Sequence, residues 1–398
     1  MFSTGILQKE MDIHVLATKQ SLSDPDLEFV DGITIHRVIR WEALSVQTIK
    51  NNFKQMPFTV FRGLWAKAAA KIRNRLNYRP FLDRGLVNSL NCRLRALLSE
   101  NYDIVISVAG YFESVQAAMS FLRNSKTKLI VYQVDPCSTN IAFAKDTYSE
   151  RLSFEKRLYE VADAIITTPI LHKQWVKDYP DAADNKIISM EFPNVNPKHQ
   201  ESSEMTGMVC KQEYNCVFAG GIYRAARNPA YTLKLFSSLS GTGIKLSIIG
   251  AEKENMREFL DIGEIASNIS FYGRLPLKEA QRHMEQSDVL VNIGNIMTNQ
   301  VPSKIFEYIS QGKPIVNVCV NHNCPSLPYL EKYPYVLNLF EGEDTDKQVQ
   351  KLKGFIRECA GKRLSAEYIA KEYETCTAAY CARQMMKIIC QEGINKST

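Results

Sequence analysis

The chain has 398 residues, 45% of them apolar and 23% charged, with a formal net charge of +6. That balance describes ordinary globular protein long enough for two cored domains, and it excludes a disordered, charge-dominated chain. No apolar run approaches the roughly 20 residues of a membrane span, and the N-terminus lacks the charged-then-apolar order of a signal peptide. Ten cysteines occur without a CxxC pair or a neighbouring histidine cluster, so reduced, partly buried thiols are expected rather than a disulfide framework or a zinc site.

Near the N-terminus, GILQKEMDIHVLATK (5–19) reads as the end of a helix running into a strand, IHVLA (13–17), and ITIHRVI (33–39) reads as the next strand. A doubly wound domain opens with a strand, a Gly-rich turn and a helix. That opening strand is not legible here, and because it is central in the sheet its absence predicts a gap between its usual neighbours. From Lys50 to Arg95, eleven basic residues meet Asp83 as the sole acidic one and are interleaved with Phe53, Phe58, Phe61, Trp65 and Tyr78. The pattern suits an anionic membrane surface or a lipid-diphosphate acceptor, with a plain solvated basic face as the alternative. No nucleic-acid motif accompanies the charge, so no nucleic-acid partner is expected.

Strand-like IVISVA (104–109), LIVYQV (129–134) and AIITT (164–168) then alternate with helix-like Asn91–Ser99, Ser114–Arg123 and Ser149–Val161. Alternation of this kind predicts a parallel α/β domain. Ligands in open α/β sheets bind outside the carboxyl ends of strands, so Ala109-Gly110-Tyr111 and Asp135-Pro136 are candidate positions. Asp135 can orient an acceptor hydroxyl or cap a turn with Pro136. His14, His36 and His172 lie away from these strand ends, and no general base is assigned.

A polar stretch (193–213) reads as a linker, and a second strand series follows: CVFAG (216–220), KLSIIG (245–250), ISFYG (269–273), VLVNIG (289–294) and IVNVCV (315–320). The glycines of FAGGIYRAARNPAY (218–231), Gly220 and Gly221, follow a strand and precede a helix, where backbone N–H groups can approach a phosphate. Arg224 or Arg227 can neutralise it, and the sequence does not choose between them. In NQVPSKIFEYISQGKPIV (299–316), Pro302 suits a first helical turn, Gly312 a helix end and Pro314 a stop. Ser303, Lys304 and Glu307 fall on one helix face, where a cation can meet a phosphate and a carboxylate can accept from two ribose hydroxyls. Asp24-Pro25-Asp26 and Asp344-Thr345-Asp346 have DxD spacing but follow no convincing buried strand, and acidic turns explain both; no metal is expected.

The 299–316 segment resembles the C-terminal signature of GT-B glycosyltransferases, particularly the retaining family 4 (group 1) type and related polysaccharide-biosynthesis enzymes. In that signature an acidic residue, seven others and a Glu precede a small-Gly-Lys-Pro turn. Glu307 matches the Glu, and Asn299 stands at the first acidic position. FYGRLP (271–276) is similar to the family's base-binding loop, which implies Gly273, Arg274 and Leu275 beside the nucleobase.

The resemblance implies an α/β GT-B fold of two doubly wound Rossmann-like domains facing a cleft, the N-terminal one lacking its first strand. The expected boundaries are an acceptor-side domain (1–192), the linker (193–213), a nucleotide-sugar-binding domain (214–364) and terminal helices (365–398) packing back on the first domain. The implied activity is hexosyl transfer, with retention, from a nucleoside diphosphate sugar to a saccharide or lipid-linked acceptor in bacterial surface polysaccharide synthesis. Arg227, Lys304 and Asp135 are the expected catalytic residues. Gly220, Gly221, Arg224, Gly273, Arg274, Leu275, Asn299, Ser303 and Glu307 are the expected donor-binding set, with no cofactor or metal. The expected location is the cytoplasm, in peripheral contact with the inner face of the cell membrane. The rival is a non-catalytic nucleotide-sugar-binding or scaffold protein of the same fold; an epimerase would need cleft carboxylates that are not legible.

Overall fold

The structure is a computed structural model, described for residues 11–39, 81–98, 102–122, 125–141, 143, 145–180, 186–197, 211–222, 226–252, 256 and 265–390. The chain divides into two compact units, Met1–Met190 with Ala382–Thr398, and Glu191–Cys381.

The first unit holds two sheets. β1 (His14–Thr18) pairs in parallel with β3 (Ile33–Val38), which pairs antiparallel with β2 (Leu27–Val30). The β2–β3 turn is Asp31-Gly32, both at positive φ (48° and 78°), which matches the right-handed twist of the flanking strands. The second sheet is parallel, in the order β4 (Ile104–Val108), β5 (Lys128–Gln133), β6 (Ala164–Thr167), β7 (Ile187–Ser189). β5 and β6 are almost wholly buried, as their continuous apolar runs require. Around them lie α1 (Arg84–Leu98), α2 (Phe112–Leu122), α3 (Tyr148–Val161) and α4 (Pro169–Asp178).

Among the described residues no strand joins β1 to β4, the place of the expected gap. Both edges are apolar and partly open, with Val15, Ile106 and Val108 at 36%, 37% and 47% exposure. Below the gap, the Tyr102 hydroxyl lies 2.6 Å from His14 Nδ1 and Arg93 donates to His36 Nδ1 at 2.7 Å. The two imidazoles stack at 5.3 Å. His14 and His36 are therefore structural groups within this sheet. The basic–aromatic stretch from Lys50 to Arg79 lies outside the described residues.

The second unit is one six-stranded parallel sheet in the order β10 (Ile269–Phe271), β9 (Ile244–Ile249), β8 (Tyr214–Ala219), β11 (Val289–Ile293), β12 (Ile315–Cys319), β13 (Val336–Phe340). Its helices are α5 (Ala230–Ser237), α6 (Leu277–Gln286), α7 (Lys304–Gln311), α8 (Leu327–Leu330), α9 (Thr345–Cys359) and α10 (Ala366–Glu372). A further helix, α11 (Ala378–Cys390), spans the division between the units. In order of appearance the strands run 3-2-1-4-5-6, so the chain reverses direction between β8 and β11, the switch point at which such sheets bind ligands. A single apolar cluster, including Phe218, Leu235, Phe236, Leu246, Val291 and Leu352, fills this unit.

Two of its terminations are set by named side chains. α7 stops at Gly312 (φ 69°), whose N–H reaches the Ile309 carbonyl at 3.0 Å; a Cβ there would meet the Leu364 carbonyl oxygen at 2.6 Å. The next residue, Lys313, is buried and donates to the carbonyls of Glu285 and Ser287, closing the end of α6. Glu191–Pro197, part of it within the expected linker, belongs to this unit. Tyr329 donates to Glu191 at 2.8 Å, Asn196 N–H to Ser310 Oγ at 3.0 Å, and Val195 N–H to the Cys376 carbonyl at 3.0 Å.

The acidic pairs serve turns. The Asp24 carboxylate accepts the N–H groups of Gln20 and Ser21 at 2.7 and 2.9 Å, and Asp26 pairs with Lys19 at 2.7 Å. Asp344 caps α9 through the Lys347 N–H at 3.0 Å. No helix of the described residues is long and apolar enough to cross a membrane.

Candidate functional site

The carboxyl ends of β8, β9, β10 and β11 converge on one edge of the second unit. Gly220 ends β8 and donates to the Ile249 carbonyl at 2.9 Å; Gly250 ends β9 and donates to the Gly273 carbonyl, beyond β10, at 2.6 Å. The close approach needs glycine. Gly250 sits at φ +102°, and a Cβ there would collide with the Gly220 carbonyl oxygen; Gly273 sits at φ +60°, and a Cβ there would collide with the Glu252 carboxylate. The result is a backbone shelf across three strand ends.

Arg227 closes the shelf on the switch-point side. Its Nη1 donates to the Gly221 carbonyl at 3.0 Å and its Nη2 to Asn295 Oδ1 at 2.9 Å, with the guanidinium 6.0 Å from the Phe218 ring centroid. Asn295 in turn donates to the Gln300 carbonyl at 3.1 Å, and Ile296 N–H to the Ala226 carbonyl at 2.8 Å. The loop after β8, the loop after β11 and the approach to α7 are thus one hydrogen-bonded assembly.

At the start of α7, Lys304 Nζ lies 2.5 Å from Glu307 Oε2, an i,i+3 pair in which Lys304 is 25% and Glu307 43% exposed. Ser303 occupies the cap position without capping through its side chain, and Pro302 falls just before it rather than inside the first turn; the Ile305 N–H bonds back to the Pro302 carbonyl at 3.0 Å. One turn on, buried Tyr308 accepts the Ala219 N–H at 2.9 Å and so pins α7 to the end of β8. Burial pushes the Tyr308 phenol above its ordinary pKa, while the Ala219 bond and the Arg227 charge pull it back.

Of the sequence-predicted site residues, Gly220, Gly221, Gly273, Ser303 and Glu307 of the donor-binding set and Arg227 and Lys304 of the catalytic set lie at these strand ends and the start of α7. Arg274 is exposed and Leu275 half-buried in the turn after Gly273, and Asn299 is half-buried in the approach to α7. Arg224 lies outside the described residues. Asp135 belongs to the first unit, at the end of β5, where its carbonyl accepts from Gln133 at 3.0 Å. The loop beyond it is clamped by two α3 side chains. Glu155 accepts the N–H groups of Cys137 and Ser138 at 3.2 and 2.9 Å, and Arg151 donates to the carbonyls of Cys137, Ser138 and Asn140 at 2.5–3.0 Å. Burial raises the Glu155 pKa against the pull of these bonds.

Sequence reasoning missed Asn295 and Tyr308 because their partners are distant in the chain. It also missed a ladder of asparagines in register across three strands: Asn292 donates to Asn317 at 2.7 Å and Asn317 to Asn338 at 2.8 Å. The ladder ties β11, β12 and β13 together behind the site.

No family model matches the chain, and no curated protein sequence does. Solved structures match throughout its length. Sucrose-phosphate synthase from Thermosynechococcus elongatus aligns over 96% of this chain and 90% of its own, with a TM-score of 0.59 and 12% identity. HepE of Anabaena, solved in complex with UDP-glucose, aligns over 95% and 99%, with a TM-score of 0.55 and 10% identity. The lipopolysaccharide outer core galactosyltransferase WaaB aligns over 95% and 99%, with a TM-score of 0.50 and 13% identity. At these identities the likeness is one of fold: the chain has the GT-B architecture of two Rossmann-like α/β units.

Proposed function

We propose that the protein is a glycosyltransferase that takes its sugar from a nucleoside diphosphate donor bound at the β8/β11 switch point of the second unit. The observation that carries the reading is the convergence of a glycine shelf, Arg227 and the Lys304/Glu307 pair on that one edge. A leaving nucleoside diphosphate carries growing negative charge on its phosphate oxygens, and preorganised cations there stabilise the transition state more than the bound sugar. Arg227, held by Gly221 and Asn295, is preorganised in this sense. Lys304 offers a second positive charge, and its partner Glu307 keeps a carboxylate available to ribose hydroxyls.

Asp135 and the clamped loop after β5 are our choice for the acceptor side, with a saccharide or lipid-linked hydroxyl as the group received. Retention of configuration, a hexosyl group and a role in bacterial surface polysaccharide assembly complete the proposal. The same holds for operation without a metal, since two cations can neutralise the diphosphate, and for peripheral attachment to the cytoplasmic face of the membrane. The rival reading, nucleotide-sugar binding without transfer, draws on the divided sheet of the first unit and on Asn299 at the first acidic position.

Purified protein incubated with UDP-, GDP- and dTDP-sugars, with and without saccharide acceptors, tests the proposal. Ligand-induced thermal shifts together with nucleotide release are expected. Binding with no release on any acceptor favours the scaffold reading, and no binding at all removes both.

A further inference from the structure

The shelf of glycines has a direction. With the diphosphate at the switch point, between β8 and β11, the nucleoside can run either way along the strand ends. Toward β12 the path is closed, because Gly294 lies against Cys324 and the Val318 carbonyl; a Cβ there would stand 3.0 Å from each. Toward β9 and β10 the strand ends carry no side chain at Gly220, Gly250 and Gly273, and the first two are half-buried where Gly294 is buried. Neighbouring strands are about 4.8 Å apart, so two spacings give roughly 10 Å, the reach of a nucleoside from its phosphate to the far edge of its base. The base then arrives at Gly273.

Glu252 stands there. It follows β9 by three residues, is exposed, and its carboxylate lies against the Gly273 Cα in space that any other residue at 273 would fill. Among the described residues no cation pairs with it. An ionised carboxylate accepts hydrogen bonds and cannot donate them, so a base placed against it must offer N–H groups. Guanine offers two side by side, N1–H and the N2 amine, matched to the two carboxylate oxygens. Uracil and thymine present one N–H flanked by two carbonyl oxygens, which a carboxylate repels. Adenine and cytosine present one amine beside a bare ring nitrogen.

We propose that Glu252 is a base-specificity residue that selects guanine, so that the donor is a GDP-sugar. The inference rests on reading this edge as the nucleotide-sugar site. Its neighbour Arg274, exposed in the turn after Gly273, is available to the guanine O6 acceptor.

The test measures binding of GDP, UDP, CDP and inosine diphosphate to the full chain and to Glu252→Gln. The wild type is expected to bind GDP at least tenfold tighter than UDP or CDP, and tighter than inosine diphosphate, which lacks the N2 amine. Glu252→Gln is expected to lose about tenfold for GDP, to bind UDP no more weakly than the wild type, since the amide lifts the repulsion of the uracil oxygens, and to erase most of the GDP-over-inosine difference. UDP or CDP binding as tightly as GDP to the wild type overturns the assignment while leaving the donor site intact. So does an equal loss for all four ligands in the variant. Failure of every diphosphate to bind overturns the donor-site reading itself and this inference with it.

Discussion

Arg227 bridges the switch point of the second unit, donating to Asn295 Oδ1 at 2.9 Å on one side and to the Gly221 carbonyl at 3.0 Å on the other. A planar guanidinium can do this with two N–H groups at once and still present positive charge toward an incoming phosphate. Arg227→Ala should therefore lower sugar transfer by roughly 100-fold or more, the usual cost of losing a preorganised donor. Arg227→Lys keeps the charge but not the fork and should recover only part of that loss. Steady-state rates with a fixed donor and acceptor decide it; an Arg227→Ala enzyme at wild-type rate rules the role out.

Glu307 and Asn299 separate by the same logic. Glu307→Ala should weaken nucleoside diphosphate binding about tenfold or more, because a carboxylate accepting from two ribose hydroxyls makes charge-assisted bonds. Asn299→Ala should change it much less. Calorimetric titration with GDP or UDP gives both numbers, and equal effects would argue against ribose binding by Glu307.

Gly250→Ala should destabilise the second unit by about 2 kcal/mol or more, since φ +102° is strained for alanine and its Cβ would collide with the Gly220 carbonyl oxygen. Gly241→Ala is the control, with φ +76° but nothing within 4 Å of its Cβ. The smaller loss should be at Gly241, read from thermal unfolding of both variants; a Gly250→Ala protein as stable as the control would contradict the close approach.

Tyr308→Phe removes the partner of the buried Ala219 N–H at 2.9 Å. The expected cost is about 1–3 kcal/mol, the penalty of an unsatisfied buried group. Donor binding should weaken with it, because α7 loses its anchor to β8. Differential scanning calorimetry together with nucleotide titration checks both effects.

Lys313 gives a pH dependence of defined sign. Burial depresses its pKa to about 8 from 10.5, so the folded state binds its proton less well than the unfolded state. Stability from this group is lowest below pH 8 and rises between about pH 8 and 10.5, by roughly 3 kcal/mol in all. Lys313→Met should flatten that rise, so the stability difference between variant and wild type, followed by denaturation from pH 7 to 10, should change steadily. A constant difference over that range would exclude the effect.

Much of the architecture was legible in local pattern. Apolar runs such as LIVYQV and VLVNIG marked buried parallel strands to within a residue or two, because strands covered on both faces have no polar positions to blur them. β2 was overlooked despite the Asp31-Gly32 turn: its four residues, LEFV, are largely exposed and carry little apolar alternation. β13, VLNLF, escaped because Asn338 interrupts it, and only the neighbouring strand supplies the partner that makes a buried asparagine tolerable.

The candidate site divides along the same line. By itself the sequence marked Gly220-Gly221 and the Ser303–Glu307 helix start as candidate phosphate- and nucleoside-binding features, since glycine after a strand and a cation at a helix start are local in origin, and it offered FYGRLP through resemblance alone. Tertiary structure decided which of them meet. It joined Arg227 to Asn295, 68 residues away, stacked three glycines from three strands into one shelf, and set Glu252 against Gly273. Those pairings follow from the 3-2-1-4-5-6 strand order, which brings distant strand ends side by side and which no local periodicity encodes.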